Sequence, residues 1–193
     1  TLFPYTTLFR SGNTFNITDG RVVVTGVISG SNELIKTGNG TLVLSPSASN
    51  TYTGVTTLNA GITLALPQGN TLNILGATAA GQHTVINAGG TFATTNDLDN
   101  ATAGLQTTGG WGTVSEPFTI NGNGHLGMGA LRKMTGREQD TLGGAITMGS
   151  AARVHADYGT LALSGALNVA FDLSVNGAGF VNITGAMTGA NAI

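Results

Sequence analysis

Three histidines, His83, His125 and His155, are the side chains of this 193-residue chain whose ordinary pKa would let them exchange protons near neutrality. None stands at a spacing that pairs it with a nucleophile or with further metal ligands, so each is read as a surface residue. The carboxylates are sparse: Asp97 with Asp99, then Asp140, Asp157 and Asp172 as isolated residues. A hard cation such as Ca²⁺ takes roughly six to eight oxygen ligands, and a solvated loop accounts better for the Asp97–Asp99 pair. The densest charge, Arg132-Lys133-Met134-Thr135-Gly136-Arg137-Glu138-Gln139-Asp140, mixes both signs and is read as an exposed turn. Gly122 to Leu131 carries a glycine at nearly every second position, but a phosphate cradle would need a following Lys-Ser/Thr and a helix, and neither is there. Trp111, the only tryptophan, sits between glycines, where its ring covers an apolar edge or offers a stacking platform to a sugar or partner. No catalytic, cofactor-binding or metal-ligating residue is assigned.

Composition narrows the function further. The chain has 31 Gly, no Cys, 8% charged residues and a net charge of −2. Ordinary domains carry about 25% charged residues, so hydroxyl and amide groups must solvate this surface. A hydrophobic content of 40% argues against disorder. The scarcity of Lys and Arg removes the basic face that nucleic-acid binding requires. No stretch approaches the roughly 20 apolar residues of a membrane-spanning helix, and the N-terminus lacks the charged and apolar regions of a signal peptide. If the protein is exported, its address is expected to lie outside this chain, and the absence of Cys fits a chain that crosses a membrane unfolded.

The elements that position these residues are short. Between Leu34 and Leu66, strand-length apolar pieces at Thr41 to Ser45, Val55 to Leu58 and Ile62 to Leu66 are separated by Gly, Asn, Ser and Pro, residues that turn the chain. Leu42 and Leu44 share one face of the first piece by period-2 geometry, and Leu64 with Leu66 repeats the pattern. No such strand buries its face alone; a solenoid, in which each coil covers its neighbour, solves that problem. Gly-Thr-apolar phrases recur at Gly40 and Gly159, with looser copies at Gly61 and Gly90. Gly40 and Gly61 stand 21 residues apart. A coil of roughly 20 residues gives roughly nine coils and an axis of about 40 Å. Further strands are expected at Ala145 to Met148, Arg153 to Ala156, Thr160 to Leu163, Leu167 to Val175 and Phe180 to Ile183. The span 96–112 is the expected loop. Asn16, Asn39 and Asn182 begin Asn-x-Thr triplets but read as turn and ladder residues, since Asn stacks well from coil to coil.

Residues 1–12 (TLFPYTTLFRSG) lack the Gly and Asn rhythm and are read as a non-repeat leader, either an N-terminal cap or sequence carried over from cloning. The phrase Thr25 to Asn32 returns at Thr184 to Asn191, so the chain is expected to stop in mid-array, as a fragment of a longer one.

The stretch 34–66 resembles the passenger-associated transport repeat of bacterial autotransporters, through Leu34, Lys36, Gly38, Gly40, Thr41, Leu42, Leu44, Ser45, Asn50, Tyr52, Thr53, Gly54, Thr56, Gly61, Leu64 and Leu66. Pro46 replaces the family's usual Gly, and added residues fall in turns or at a strand start. The resemblance implies an all-β, right-handed, single-stranded parallel β-helix over 13–193. It also implies a passenger stalk outside the outer membrane of a Gram-negative bacterium, anchored by a C-terminal β-barrel beyond this chain and assisting its own secretion and folding. The alternative is an adhesin for host cells or glycans, with loop 96–112 and Trp111 as its binding surface. A β-helix carbohydrate enzyme is the weaker alternative: it would need acids and bases clustered on one outer face, and Asp97, Asp99 and Asp157 are its candidates. No cofactor, nucleic acid or membrane-spanning segment is expected.

Overall fold

The computed structural model describes residues 2–3, 7–8, 13–66, 73–78, 81–95, 113–136 and 138–190. The expected loop, with Trp111, Asp97 and Asp99, lies outside them, as do Arg137 and 191–193. The described chain is nearly all strand; its one helical element is a 3₁₀ turn at His125–Gly127. Every strand pairing is parallel.

The strands wind into three faces of one parallel β-helix. The first face stacks β1 (Leu2–Phe3), β4 (Arg21–Val24), β7 (Thr41–Leu44), the second halves of β8 (Thr56–Ala65) and β9 (Thr84–Thr94), β12 (Leu131–Lys133), the second half of β14 (Ile146–Ala156) and β17 (Leu173–Asn176). The second stacks β3 (Asn13–Asn16), β6 (Leu34–Thr37), the first halves of β8 and β9, then β11 (Phe118–Gly122), the first half of β14, β16 (Leu167–Asn168) and β19 (Met187–Thr188). The third holds β2 (Thr7–Leu8) with β5 (Ile28–Ser29), and separately β10 (Thr113–Val114), β13 (Gln139–Leu142), β15 (Thr160–Leu163) and β18 (Phe180–Ile183). Among the described residues the first face thus has eight rungs. At about 4.8 Å per rung they span about 35 Å, close to the length expected from the sequence. The coil length also agrees: Leu142 pairs with Leu163 and Leu163 with Ile183, steps of 21 and 20 residues.

Inward-facing side chains form columns that make the core. On the first face Val22, Leu42, Thr63, Phe92, Leu131, Val154 and Val175 stand in one register. On the second, Leu58, Ile86, Ile120 and Met148 do the same. All but Val22 and Val175 are buried. Asparagines line one corner: Asn87 donates to Asn59 Oδ1 (2.6 Å) and Asn121 to Ile86 O (3.0 Å), while Thr37 donates to Asn16 Oδ1 (3.3 Å), in keeping with the ladder role expected of Asn16.

Several boundaries differ from expectation. Corners in this fold cost little when a glycine can take φ > 0, so strands continue around them. Val55 to Leu58 and Ile62 to Leu66 belong to the single strand β8, bent where the register shifts between Leu58 and Ala60, beside Gly61 at φ 71°. A Cβ at Gly61 would stand 2.4 Å from Gly40 O, so no other residue fits that bend. The two strands expected between Ala145 and Ala156 also merge, as β14, without a positive-φ glycine inside it. Conversely, the apolar series Leu167 to Val175 does not share one face. It breaks between β16 and β17, leaving Phe171 42% exposed, while Val175, in the inward column of the last described rung of the first face, is 51% exposed. Leu64 pairs in register with Val43, not with Leu42 or Leu44. It therefore faces outward and builds a second buried cluster with Val43, Leu66 and Ala93. The phrase repeated at 25–32 and 184–191 is also out of phase with the coil: β5 lies on the third face and β19 on the second. By contrast, Gly61 and Gly90 do stand in register.

Candidate functional site

The residues shared with the repeat pattern meet inside the coil. Lys36 points inward on β6, and its side chain is fully buried. Its Nζ donates to Gly38 O (2.7 Å), Thr37 O (3.0 Å) and, in the next rung, Ala60 O (3.0 Å). Burial pulls its pKa down to about 8, while three carbonyl acceptors favour the ammonium form. Asn50 clips three rungs: its Oδ1 accepts from Ile28 N–H (2.7 Å), and its Nδ2 donates to Ile74 O (2.6 Å). Tyr52 is 2% exposed, with its hydroxyl 2.6 Å from Thr56 Oγ1. A buried polar group is tolerated only when its hydrogen bonds are made, so these residues hold only one register between coils.

Polar side chains continue along the same corner. Thr56 and Thr84 are register partners, and Thr84 donates to Glu116 Oε1 (2.9 Å). Glu116 is 3% exposed, and its Oε2 has no partner among the described residues. Burial pushes its carboxyl up to about 7, against a smaller downward pull from Thr84. Burial likewise raises the Tyr52 phenol, with the Glu116 charge adding to the rise. An unfolded chain releases the glutamate proton near 4.5 and the folded chain near 7. Between those values the native state holds the extra proton, so its stability falls as pH rises and levels above about 7. Glu116→Gln, which keeps the acceptor for Thr84, is expected to remove a loss on the order of 2–3 kcal/mol over that window. Thermal midpoints of both proteins at pH 5 and pH 8 check this; equal pH slopes would refute it.

The stretch expected as an exposed turn from Arg132 to Asp140 is exposed at Thr135, Glu138 and Gln139, but its ends belong to β12 and β13 and bury Lys133 and Asp140. Lys133 ends β12 facing inward, and its Nζ donates to Thr135 O (2.6 Å) and to Asp140 Oδ2 (2.9 Å), with both side chains fully buried. Composition could not distinguish this from a solvated turn. The signal was alternation: Leu131 and Lys133, then Asp140 and Leu142, are the inward positions of two strands. Lys133 also repeats the geometry of Lys36, each bonding the carbonyl two residues on.

Of the three histidines, His83 and His125 are half-buried and join no acid–base pair among the described residues. His155 does not stand alone: its Nε2 lies 3.1 Å from Asp157 Oδ1, and Arg132 Nε donates to Asp157 Oδ2 (2.7 Å). Asp140 and Asp157, isolated in sequence, are both partnered in space, whereas Asp172 is exposed. Among the described residues no group of three or more His, Cys, Asp or Glu is arranged to hold a metal ion.

Fold and interior together define a parallel β-helix whose coils are registered by buried polar clips. Residues 34–66, which supply Lys36, Asn50 and Tyr52, match the family model described as Passenger-associated-transport-repeat. The chain therefore carries an autotransporter passenger repeat within that β-helix. A search of curated proteins and one of solved structures each returned no match.

Proposed function

We propose that this chain is a structural passenger segment of an autotransporter-type surface protein, a shaft displayed outside a Gram-negative outer membrane and joined to a C-terminal β-barrel beyond it. The observation that carries this reading is that the repeat's own residues, Lys36, Asn50 and Tyr52, are buried clips between coils. They are not surface groups available to a substrate. Each new coil buries the apolar columns of the last and satisfies its clips, so folding outside the membrane favours forward passage without an external energy source. In this reading the shaft is not an enzyme, and the repeat assists its own secretion and folding. No helix among the described residues is long and apolar enough to cross a membrane.

The test uses the full-length protein on cells. Asn50→Leu removes the three-rung clip and should yield passenger that is digested by added protease, while the barrel remains inserted. Native-like amounts of protease-resistant passenger from that variant, and from one lacking residues 34–66, would refute the role in folding and secretion. Turnover of an acidic polysaccharide by the native protein, lost on Asp157→Asn, would overturn the non-enzymatic reading.

A further inference from the structure

The outer side of the first face carries a second constellation, remote from the clips. Arg132 and His155 are register partners in adjacent rungs, and Arg153 points outward two residues before His155. One rung further, Ser174 pairs with Arg153 and Asn176 with His155. Two arginines, a histidine, a serine, an asparagine and Asp157 thus share three rungs, a height of about 10 Å. In a chain with only seven Lys and Arg, of which Lys36 and Lys133 are buried, this is a marked concentration of cationic side chains.

The arginines are held in place. Asp157 fixes Arg132 through Nε, leaving the terminal amino groups of that guanidinium to other partners. Arg153 donates from Nη1 to Gly127 O (2.7 Å), yet among the described residues no carboxylate pairs with it, and its buried Nε has no acceptor. Its Nε is buried out of a ligand's reach, but the terminal amino groups of this uncompensated guanidinium keep donors that suit an anion. Beside it, the turn His125–Gly127 holds Leu126 in the left-handed region (φ 51°, ψ 24°) and 84% exposed. A non-glycine residue kept there at a cost in strain, presenting an apolar side chain to water, is a mark of a contact site.

We propose that this patch binds a carboxylate-bearing polysaccharide of the uronate kind. The arginines take the carboxylate, while Asn176, Ser174 and the free lone pairs of Asp157 take ring hydroxyls. Leu126 packs against the apolar C–H face of the sugar. The patch's height matches one or two sugar residues, and the alternation of charge with hydroxyl and amide groups suits a polyhydroxylated acid better than an acidic peptide. This binding needs no turnover and stands apart from the structural role of the clips.

Trigalacturonate titrated calorimetrically into the chain tests it, with the fully methyl-esterified trisaccharide as the uncharged control. Saturable binding is expected, weakened about tenfold by esterification and about tenfold by Arg153→Gln, the loss of one charged hydrogen-bonded contact. Asn176→Ala, at an exposed position where the fold is not at stake, should also weaken binding with an unchanged thermal midpoint. Absence of saturable binding by the native chain, equal binding of the esterified sugar, or native affinity in both variants would overturn the proposal.

Discussion

Asp140→Ala is expected to destabilise the shaft by about 3–5 kcal/mol, the usual consequence of removing one member of a fully buried ion pair. Lys133 would be left charged or forced to give up its proton, surrounded by core residues, with Thr135 O as its remaining acceptor. Burial raises the Asp140 carboxyl above the ordinary range, and the hydrogen bond and charge of Lys133 pull it partly back. The pair is therefore no strong net stabiliser; it is costly only when broken. It follows that Lys133→Met combined with Asp140→Leu should recover most of the loss, since apolar residues of similar volume often replace such a pair at little cost. Denaturant unfolding followed by circular dichroism reads both outcomes. A single variant within about 0.5 kcal/mol of the native chain would mean that the corner is solvated after all.

Phe92→Ala should cost a comparable amount, about 3–5 kcal/mol. Phe92 is fully buried at mid-stack, in register with Thr63 below and Leu131 above. It packs across the core from the first face onto Phe118 of the second, with ring centroids 5.2 Å apart and planes tilted by 38°. Rungs contact mainly their neighbours, so the cavity weakens the interfaces on both sides of β9 and should divide the solenoid into two less cooperative blocks. Amide exchange would then accelerate most in β8, β9 and β12. Phe180→Ala is the control: at 73% exposure it should change stability by no more than about 0.5 kcal/mol. A uniform acceleration of exchange along the whole chain would argue against nearest-neighbour coupling.

How much of this was legible in the sequence depended on whether local pattern or coil register decided the matter. The 20-residue repeat and the all-β character were readable because glycine corners and period-2 apolar positions are local properties, and the passenger repeat at 34–66 was readable through its resemblance to a known pattern. The merging of expected strands into β8 and β14 was not, since Gly61 looks like a terminator until its rung neighbours show that a bent strand keeps its pairing. Leu64 showed the right periodicity but faces the second cluster, because a strand's period does not say which of its two sides is inside. In the Arg132 to Asp140 stretch Thr135, Glu138 and Gln139 are exposed as expected, but Lys133 and Asp140 are buried, against the rule that charge seeks water. Only the partner seven residues away makes burial tolerable. The outer patch was invisible for a related reason: Arg132 stands a coil before Arg153 and His155, and Asn176 a coil after them, so no recognisable local motif joins them.

Composition, glycine placement and apolar alternation thus determined by themselves that this chain would coil into stacked short strands, because each is a property of residues close in sequence. The tertiary structure alone decided which side chains stack in a column and which of them lie inside. Those outcomes depend on residues 20 to 40 positions apart being brought into register. One residue's slip in a rung would exchange the buried face for the exposed one. The buried clips, the Lys133–Asp140 pair and the outward arginines are products of that register.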